Sequence, residues 1–173
     1  MSDVQDVAVV GAGVAGMACA LGLSQQGLRV ALIGPRVVPH APSPAAPFDA
    51  RIYAVAPATV ELLQRLSVWN RADATRATPV EHMRVFGDRG DELTFDAYAA
   101  TVERLATILE EGELVRVLDA ACDFQPGIVR IAAGFDSITT DAEAVTVGLS
   151  TGASLRSRLL VGADGAQSAV RAA

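Results

Sequence analysis

Apolar and polar positions change their period several times along the chain, and each change marks an element. Asp6 to Val10 is a short, largely β-branched apolar run, which predicts a parallel strand covered on both faces. Gly11-Ala12-Gly13-Val14-Ala15-Gly16 breaks that run, and a helical stretch follows from Val14 to Gln26. Arg29-Val30-Ala31-Leu32-Ile33 reads as a second buried strand. Five of the eight prolines, at 35, 39, 42, 44 and 47, then make Gly34 to Pro47 a loop. Pro57 suits the first turn of a helix whose inward stripe is Leu62, Leu63 and Leu66. Between Glu81 and Phe95 apolar residues alternate around Gly87-Asp88-Arg89-Gly90-Asp91, predicting a hairpin with Met83, Val85, Leu93 and Phe95 on its strands. An amphipathic helix is expected over 113–122. Three strands, Ile128 to Ala132, Ala144 to Leu149 and Ser154 to Val161, are expected to form a meander that returns the chain to the sheet.

The glycine turn brings chemistry into this pattern. G-x-G-x-x-G alone is a weak signal, but here it follows a strand, opens a helix and is succeeded by a second strand. That context implies an α/β, Rossmann-like dinucleotide-binding domain with a central parallel sheet and an additional β-meander. Gly11 permits the tight turn, Gly13 leaves room for a pyrophosphate, and Gly16 lets the helix approach the strand. The phosphates would meet free N–H groups of the first helical turn, which includes Ala15. An acidic residue usually ends the second strand and holds the ribose, but Gly34 stands there. A carboxylate introduced by Gly34→Glu is therefore expected to tighten adenosine binding by about 1 kcal/mol. Arg36, two residues on, is read as a solvated loop cation near the nucleotide. Near the other end, Leu159-Leu160-Val161-Gly162-Ala163-Asp164-Gly165 is a buried strand running into a turn. Asp164 suits either ribose hydroxyls or a helix start, and Gly165 brings backbone close.

Composition narrows the classes. With 173 residues and 51% hydrophobic content, one compact unit over 1–173 is expected. A net charge of −6 without a Lys/Arg cluster argues against a nucleic-acid partner. Val7 to Leu23 is free of charge, yet glycines interrupt it and Asp3 and Asp6 precede it, so neither a signal peptide nor a membrane span is expected. Cys19 and Cys122 fall in predicted helices far apart, as two reduced, buried thiols of a cytoplasmic protein would. His40 and His82 stand alone, and no metal site or catalytic base is assigned to them.

Three stretches carry a family resemblance across almost the whole chain. Asp49-Ala50-Arg51 leading through a short strand to Leu63-Gln64-Arg65-Leu66-Ser67-Val68-Trp69 resembles a segment of the flavin-dependent aromatic hydroxylases, above all their ubiquinone-biosynthesis branch; Ser67 replaces that family's glycine. Thr107 to Leu118 is similar to a second element, in which a polar residue approaches the flavin phosphates. Glu111 holds that place here; because a carboxylate repels pyrophosphate, it is expected to turn to solvent instead. Gly162-Ala163-Asp164-Gly165-Ala166-Gln167-Ser168-Ala169-Val170-Arg171 is similar to the family's G-A-D-G-x-x-S-x-v-R motif.

The resemblance implies FAD as cofactor, held by Gly11, Gly13, Ala15, Gly16, Arg51, Asp164 and Gly165. It implies NAD(P)H as reductant and a monooxygenase that hydroxylates an electron-rich aromatic ring, with no catalytic base named. For the ubiquinone branch the substrate is a polyprenylated phenol, placing the parent enzyme peripherally at the cytoplasmic face of the inner membrane. Hydroxylation of a soluble aromatic compound and a non-catalytic nucleotide-binding module remain open alternatives. The family's later G-D motif and its substrate-binding sheet have no counterpart in these residues, so the chain is expected to be truncated before the substrate domain. On that expectation Leu159 to Ala163 is an exposed sheet edge, through which the isolated chain self-associates.

Overall fold

The computed structural model describes residues 4–36 and 48–173. In chain order its first half contains β1 (Gln5–Val10), α1 (Val14–Gln25), β2 (Val30–Ile33), β3 (Ile52–Val55), α2 (Pro57–Arg65), β4 (Thr78–Val80), β5 (His82–Phe86) and β6 (Glu92–Asp96). The second half contains β7 (Ala106–Glu110), α3 (Glu111–Phe124), β8 (Ile128–Ile131), β9 (Phe135–Thr140), β10 (Val145–Leu149), β11 (Ser154–Gly162) and α4 (Ala169–Ala172). Contacts divide the described residues into two compact units, 4–36 with Leu118–Ala173, and 48–117. His40 and the prolines at 39, 42, 44 and 47 lie outside the described residues.

In the first unit the sheet order is β8-β2-β1-β11-β10-β9. β8, β2, β1 and β11 run parallel, and β11, β10 and β9 follow as an antiparallel meander. Both faces of β1 are buried: Ala8 and Val10 join Ile33, Val147 and Leu149 in one cluster, while Val7 and Val9 are equally inaccessible. That two-sided burial is why the strand reads as an unbroken apolar run. α1 packs on β1 and β2 through Met17, Ala20 and Leu21.

The meander corrects the sequence reading. Ile128–Ile131 is not its first strand but a parallel neighbour of β2, with Val30 opposite Ile128 and Ile33 opposite Ile131. The true first strand is β9, whose side chains are largely exposed and give little alternation to detect.

In the second unit β7 lies between β3 and β4, antiparallel to both. This five-residue strand precedes α3, which starts at Glu111 rather than 113. So short an apolar run cannot be told from the start of a helix by period alone. The hairpin is as expected: Met83 faces Phe95 and Val85 faces Leu93.

α2 begins with Pro57 and buries Leu63 and Leu66, but Leu62 is 42% exposed and leaves the expected inward stripe. The buried third member is Val68, beyond the helix, because the chain turns back there. Ser67 N–H donates to the Gln64 carbonyl and Val68 N–H to the Leu63 carbonyl, the paired bonds of a Schellman motif. Ser67 has φ +59°, a left-handed conformation that a Cβ disfavours. Ser67→Gly should therefore stabilise the chain by about 1 kcal/mol, read as a higher urea midpoint with unchanged slope.

No helix among the described residues is long and apolar enough to cross a membrane.

Candidate functional site

The glycine turn joins β1 to α1, and its glycines fall into two kinds. Gly11 has φ +111°, and a Cβ there would run into the Ala163 carbonyl. A Cβ on Gly16 would meet the Gly11 carbonyl, with the Ala163 Cβ 3.4 Å away. Both are required by close approach of backbone to backbone. Gly13 differs: its φ is −80°, it is exposed, and a Cβ on it meets nothing within 4 Å. The fold itself makes no demand for glycine at 13. Ala15 is exposed beside it, whereas Ala12 and Gly16 are buried. No side chain caps α1 and no acidic residue occupies its first turn, so the positive end of the helix is uncompensated.

Gly34 closes the other side of this turn. Its N–H donates to the Ile131 carbonyl at 3.1 Å, and a Cβ would lie 2.7 Å from Ala12 N and 2.9 Å from Ala12 Cβ. The turn itself crowds the first atom that any side chain at 34 would add. Gly34→Glu is therefore expected to weaken binding rather than tighten it. Arg36 is not simply a solvated cation, because it pairs with Asp123, while Arg130 pairs with Asp119 at 2.6 Å and with Asp123 at 3.1 Å.

β11 delivers Asp164 beside the same turn, with Ala163 N–H donating to the Val10 carbonyl at 2.7 Å. Of the two roles the sequence allowed Asp164, the structure displays the helix cap. Its carboxylate accepts from the Ser168 hydroxyl at 2.6 Å and from the N–H groups of Ala169 (2.7 Å) and Val170 (3.1 Å). Burial by itself would raise its pKa, but these hydrogen bonds outweigh it and hold the carboxyl below its ordinary value. Gly165 follows at φ +90° in open space.

In the second unit Asp49-Ala50-Arg51 is laced to the β7–α3 junction. Asp49 accepts from Arg51 N–H at 3.0 Å and from Gly112 N–H at 3.3 Å, and Glu111 N–H donates to the Arg51 carbonyl at 3.0 Å. Glu111 does not turn to solvent. Its carboxylate accepts from Arg51 Nη1 at 3.0 and 3.2 Å and from the Tyr53 hydroxyl at 3.0 Å. The hydrogen bond to Glu111 raises both the Arg51 and the Tyr53 pKa. Beside it, the buried Glu110 accepts from the Arg76 guanidinium and from Asp49 N–H. The sequence singles out Arg51 but gives no sign of Tyr53, and Glu111 is bound to both rather than turned to solvent. They meet because Ile52 pairs with Glu110 and Tyr53 with Leu109 across antiparallel strands. The available signal was two acid-bearing segments flanking short apolar runs.

The remaining candidates among the described residues are His82 and the two cysteines. His82 Nδ1 lies 2.9 Å from Asp96 across the hairpin, a partner set by strand register rather than helical spacing. Cys122 is buried and Cys19 half-buried, and burial pushes the Cys122 thiol up to about 12.

Comparison with known proteins bears on the whole described chain. A protein family described as "FAD binding domain" matches residues 4–173. The 3-demethoxyubiquinol 3-hydroxylase of Escherichia coli (strain K12) is 32% identical over 173 residues, which cover 96% of this chain and 42% of that protein. A mitochondrial ubiquinone biosynthesis monooxygenase of Caenorhabditis elegans is 31% identical, over 98% of this chain and 40% of its own length. Among solved structures, p-nitrophenol 4-monooxygenase from Pseudomonas putida DLL-E4 superposes with a TM-score of 0.73 at 25% identity, over 99% of this chain and 43% of that one. The flavin-dependent monooxygenase PieE, solved with FAD and substrate, gives 0.72 at 26% identity. The chain thus spans about two fifths of the length of the curated relatives it matches.

Proposed function

The chain belongs to the FAD-binding-domain family, and from that premise we propose that it is the cofactor-holding part of a flavin-dependent aromatic hydroxylase of ubiquinone biosynthesis. The observation that carries this reading is Gly13. It is the one glycine of the turn whose Cβ direction is open, and it sits at the uncapped start of α1. The pyrophosphate of FAD fits there, against N–H groups of the Val14–Ala15–Gly16 turn, with Gly11 and Gly16 fixing the backbone. Asp164 and Gly165 stand beside that turn and are assigned to the cofactor with it. Arg51 is assigned to the cofactor on the family resemblance. Bound FAD supplies the redox chemistry of aromatic hydroxylation with O₂, taking its electrons from NAD(P)H. This chain's residues bind and orient it.

The substrate proposed for the whole enzyme is a polyprenylated phenol, as the curated relatives suggest by name. Such a substrate places the enzyme peripherally at the cytoplasmic face of the inner membrane. A second reading, hydroxylation of a soluble phenol, is favoured by the structural likeness to p-nitrophenol 4-monooxygenase. Titrating the purified chain with FAD, followed by flavin fluorescence and calorimetry, tests the cofactor assignment. Saturable binding is expected, and its absence would overturn it. Which phenol accelerates nicotinamide oxidation by the whole enzyme separates the two substrates.

Self-association of this chain belongs to the same proposal. β10 covers β11 from Ser154 to Ser157, but Leu159 to Gly162 pairs only with β1 among the described residues, and Leu159 is 53% exposed. An open apolar strand flank favours pairing with a second copy. Light scattering should show a concentration-dependent dimer that Val161→Lys weakens; a monomer throughout would refute this.

A further inference from the structure

The end of β2 carries no acid. Gly34 follows Ile33, a Cβ at 34 would crowd Ala12 of the glycine turn, and Pro35 comes next. The first charged side chain beyond the strand is Arg36, and its ionic partners belong to the same compact unit. Asp119 and Asp123, one turn apart on α3, and Arg130 on β8 form a cluster with it. The two arginines of this cluster are not equivalent. Arg130 is 18% exposed and binds both carboxylates, Asp119 at 2.6 Å and Asp123 at 3.1 Å. Arg36 is 58% exposed, pairs with Asp123 and lies 4.0 Å from Asp119. Withdrawing Arg36 leaves each aspartate paired with Arg130, so only a solvated ion pair is lost. Arg36 is therefore the member of the cluster free to turn to an incoming anion.

In dinucleotide-binding sheets the adenosine ribose lies at the end of the second strand. An acid there takes the 2′-hydroxyl, or an arginine nearby takes a phosphate esterified to it. We propose that the adenosine end of this site binds 2′-phosphoadenosine nucleotides in preference to their unphosphorylated counterparts, with Arg36 as the residue that recognises the 2′-phosphate. The inference rests on the assignment of the glycine turn to a nucleotide. A carboxylate at the strand end would repel such a phosphate, and the crowding at Gly34 disfavours one there. The planar guanidinium of Arg36 offers parallel N–H donors that phosphate oxygens accept in pairs. Asp123 keeps that guanidinium beside the strand end, and Arg130 retains Asp123 when Arg36 moves to the ligand. FAD has a free 2′-hydroxyl and makes no such contact, so a 2′-phosphorylated nucleotide competes with it for the same turn.

The test is displacement of FAD from the 173-residue chain, followed by flavin fluorescence. The competitors are adenosine 2′,5′-bisphosphate, adenosine 3′,5′-bisphosphate and adenosine 5′-monophosphate. The 2′,5′-bisphosphate should bind about three- to tenfold more tightly than the monophosphate, and this advantage should shrink as salt rises. The 3′,5′-isomer should show a smaller advantage. Arg36→Gln should remove the advantage of the 2′,5′-bisphosphate. Thermal melts establish that the variant folds; if it does not, Arg36→Met replaces it. A wild-type chain that binds the 2′,5′-bisphosphate no more tightly than the monophosphate overturns the inference while leaving the cofactor reading intact. So does an equal advantage for the 3′,5′-isomer, or an advantage that survives removal of the Arg36 charge. Failure of the chain to bind FAD at all overturns the cofactor reading itself, and the inference falls with it.

Discussion

Replacing Gly13 with Asp should abolish FAD binding, a loss of at least about a hundredfold or roughly 2.7 kcal/mol, and should leave the chain slightly more stable than before. The two effects diverge because Gly13 is the N-cap of α1 and has extended backbone angles with no side-chain cap. Asp is among the preferred residues at that position, better than Gly by a few tenths of a kcal/mol, since its carboxylate can accept from the first free N–H groups. Nothing lies within 4 Å of the new Cβ to resist it. The same carboxylate would occupy the N–H groups assigned to the pyrophosphate and set a negative charge against it. Gly13→Ala separates the contributions, because it adds the Cβ without the charge and should lose only part of the affinity. Thermal melts and calorimetric titration of the three proteins check both halves. Equal FAD affinity in Gly13→Asp and wild type would remove the turn from the cofactor site.

How far the sequence reveals this chain depends on the range over which each interaction acts. β1, the glycine turn, α1 and β2 are legible because strand, turn and helix are contiguous and each carries its own local signal. The hairpin is legible for the same reason, its two strands being joined by a polar turn. The pairing of β3 with β7 is not, since Ile52 and Glu110 are brought together by tertiary folding and neither short run has a distinctive period. Everything that depends on that pairing is hidden with it: the strand over Ala106–Glu110, the bond from Tyr53 to Glu111, and the salt bridge that keeps Glu111 from solvent. Charge repulsion from a phosphate would turn Glu111 outward, but the neighbouring Arg51 holds it in place. β9 is hard to read from sequence for a different reason. Its place in the sheet is fixed by backbone bonds to β10, and its side chains are too exposed to leave an apolar trace.

Gly34 shows the same limit at a single residue, and its substitution is the second large effect expected. By analogy with acid-bearing dinucleotide sites, a carboxylate at 34 should reach the ribose and strengthen binding. The backbone forbids this before the carboxylate is placed. Any Cβ at 34 would stand 2.7 Å from Ala12 N and 2.9 Å from Ala12 Cβ. Ala12 is buried and lies between Gly11, held by its bond to the Ile33 carbonyl, and Gly13, so it cannot give way without moving the turn. Overpacking of this kind typically costs about 1–3 kcal/mol. Gly34→Glu should therefore lower the melting temperature and weaken FAD binding. Gly34→Ala carries the same Cβ without the acid and should reproduce most of the destabilisation. Measured together, the pair distinguishes steric from electrostatic origin: a Glu variant weaker than wild type and close to Ala places the cost in the contact with Ala12. A Glu variant that binds FAD more tightly than both would show that the turn yields and that the missing ribose carboxylate was the deficiency after all.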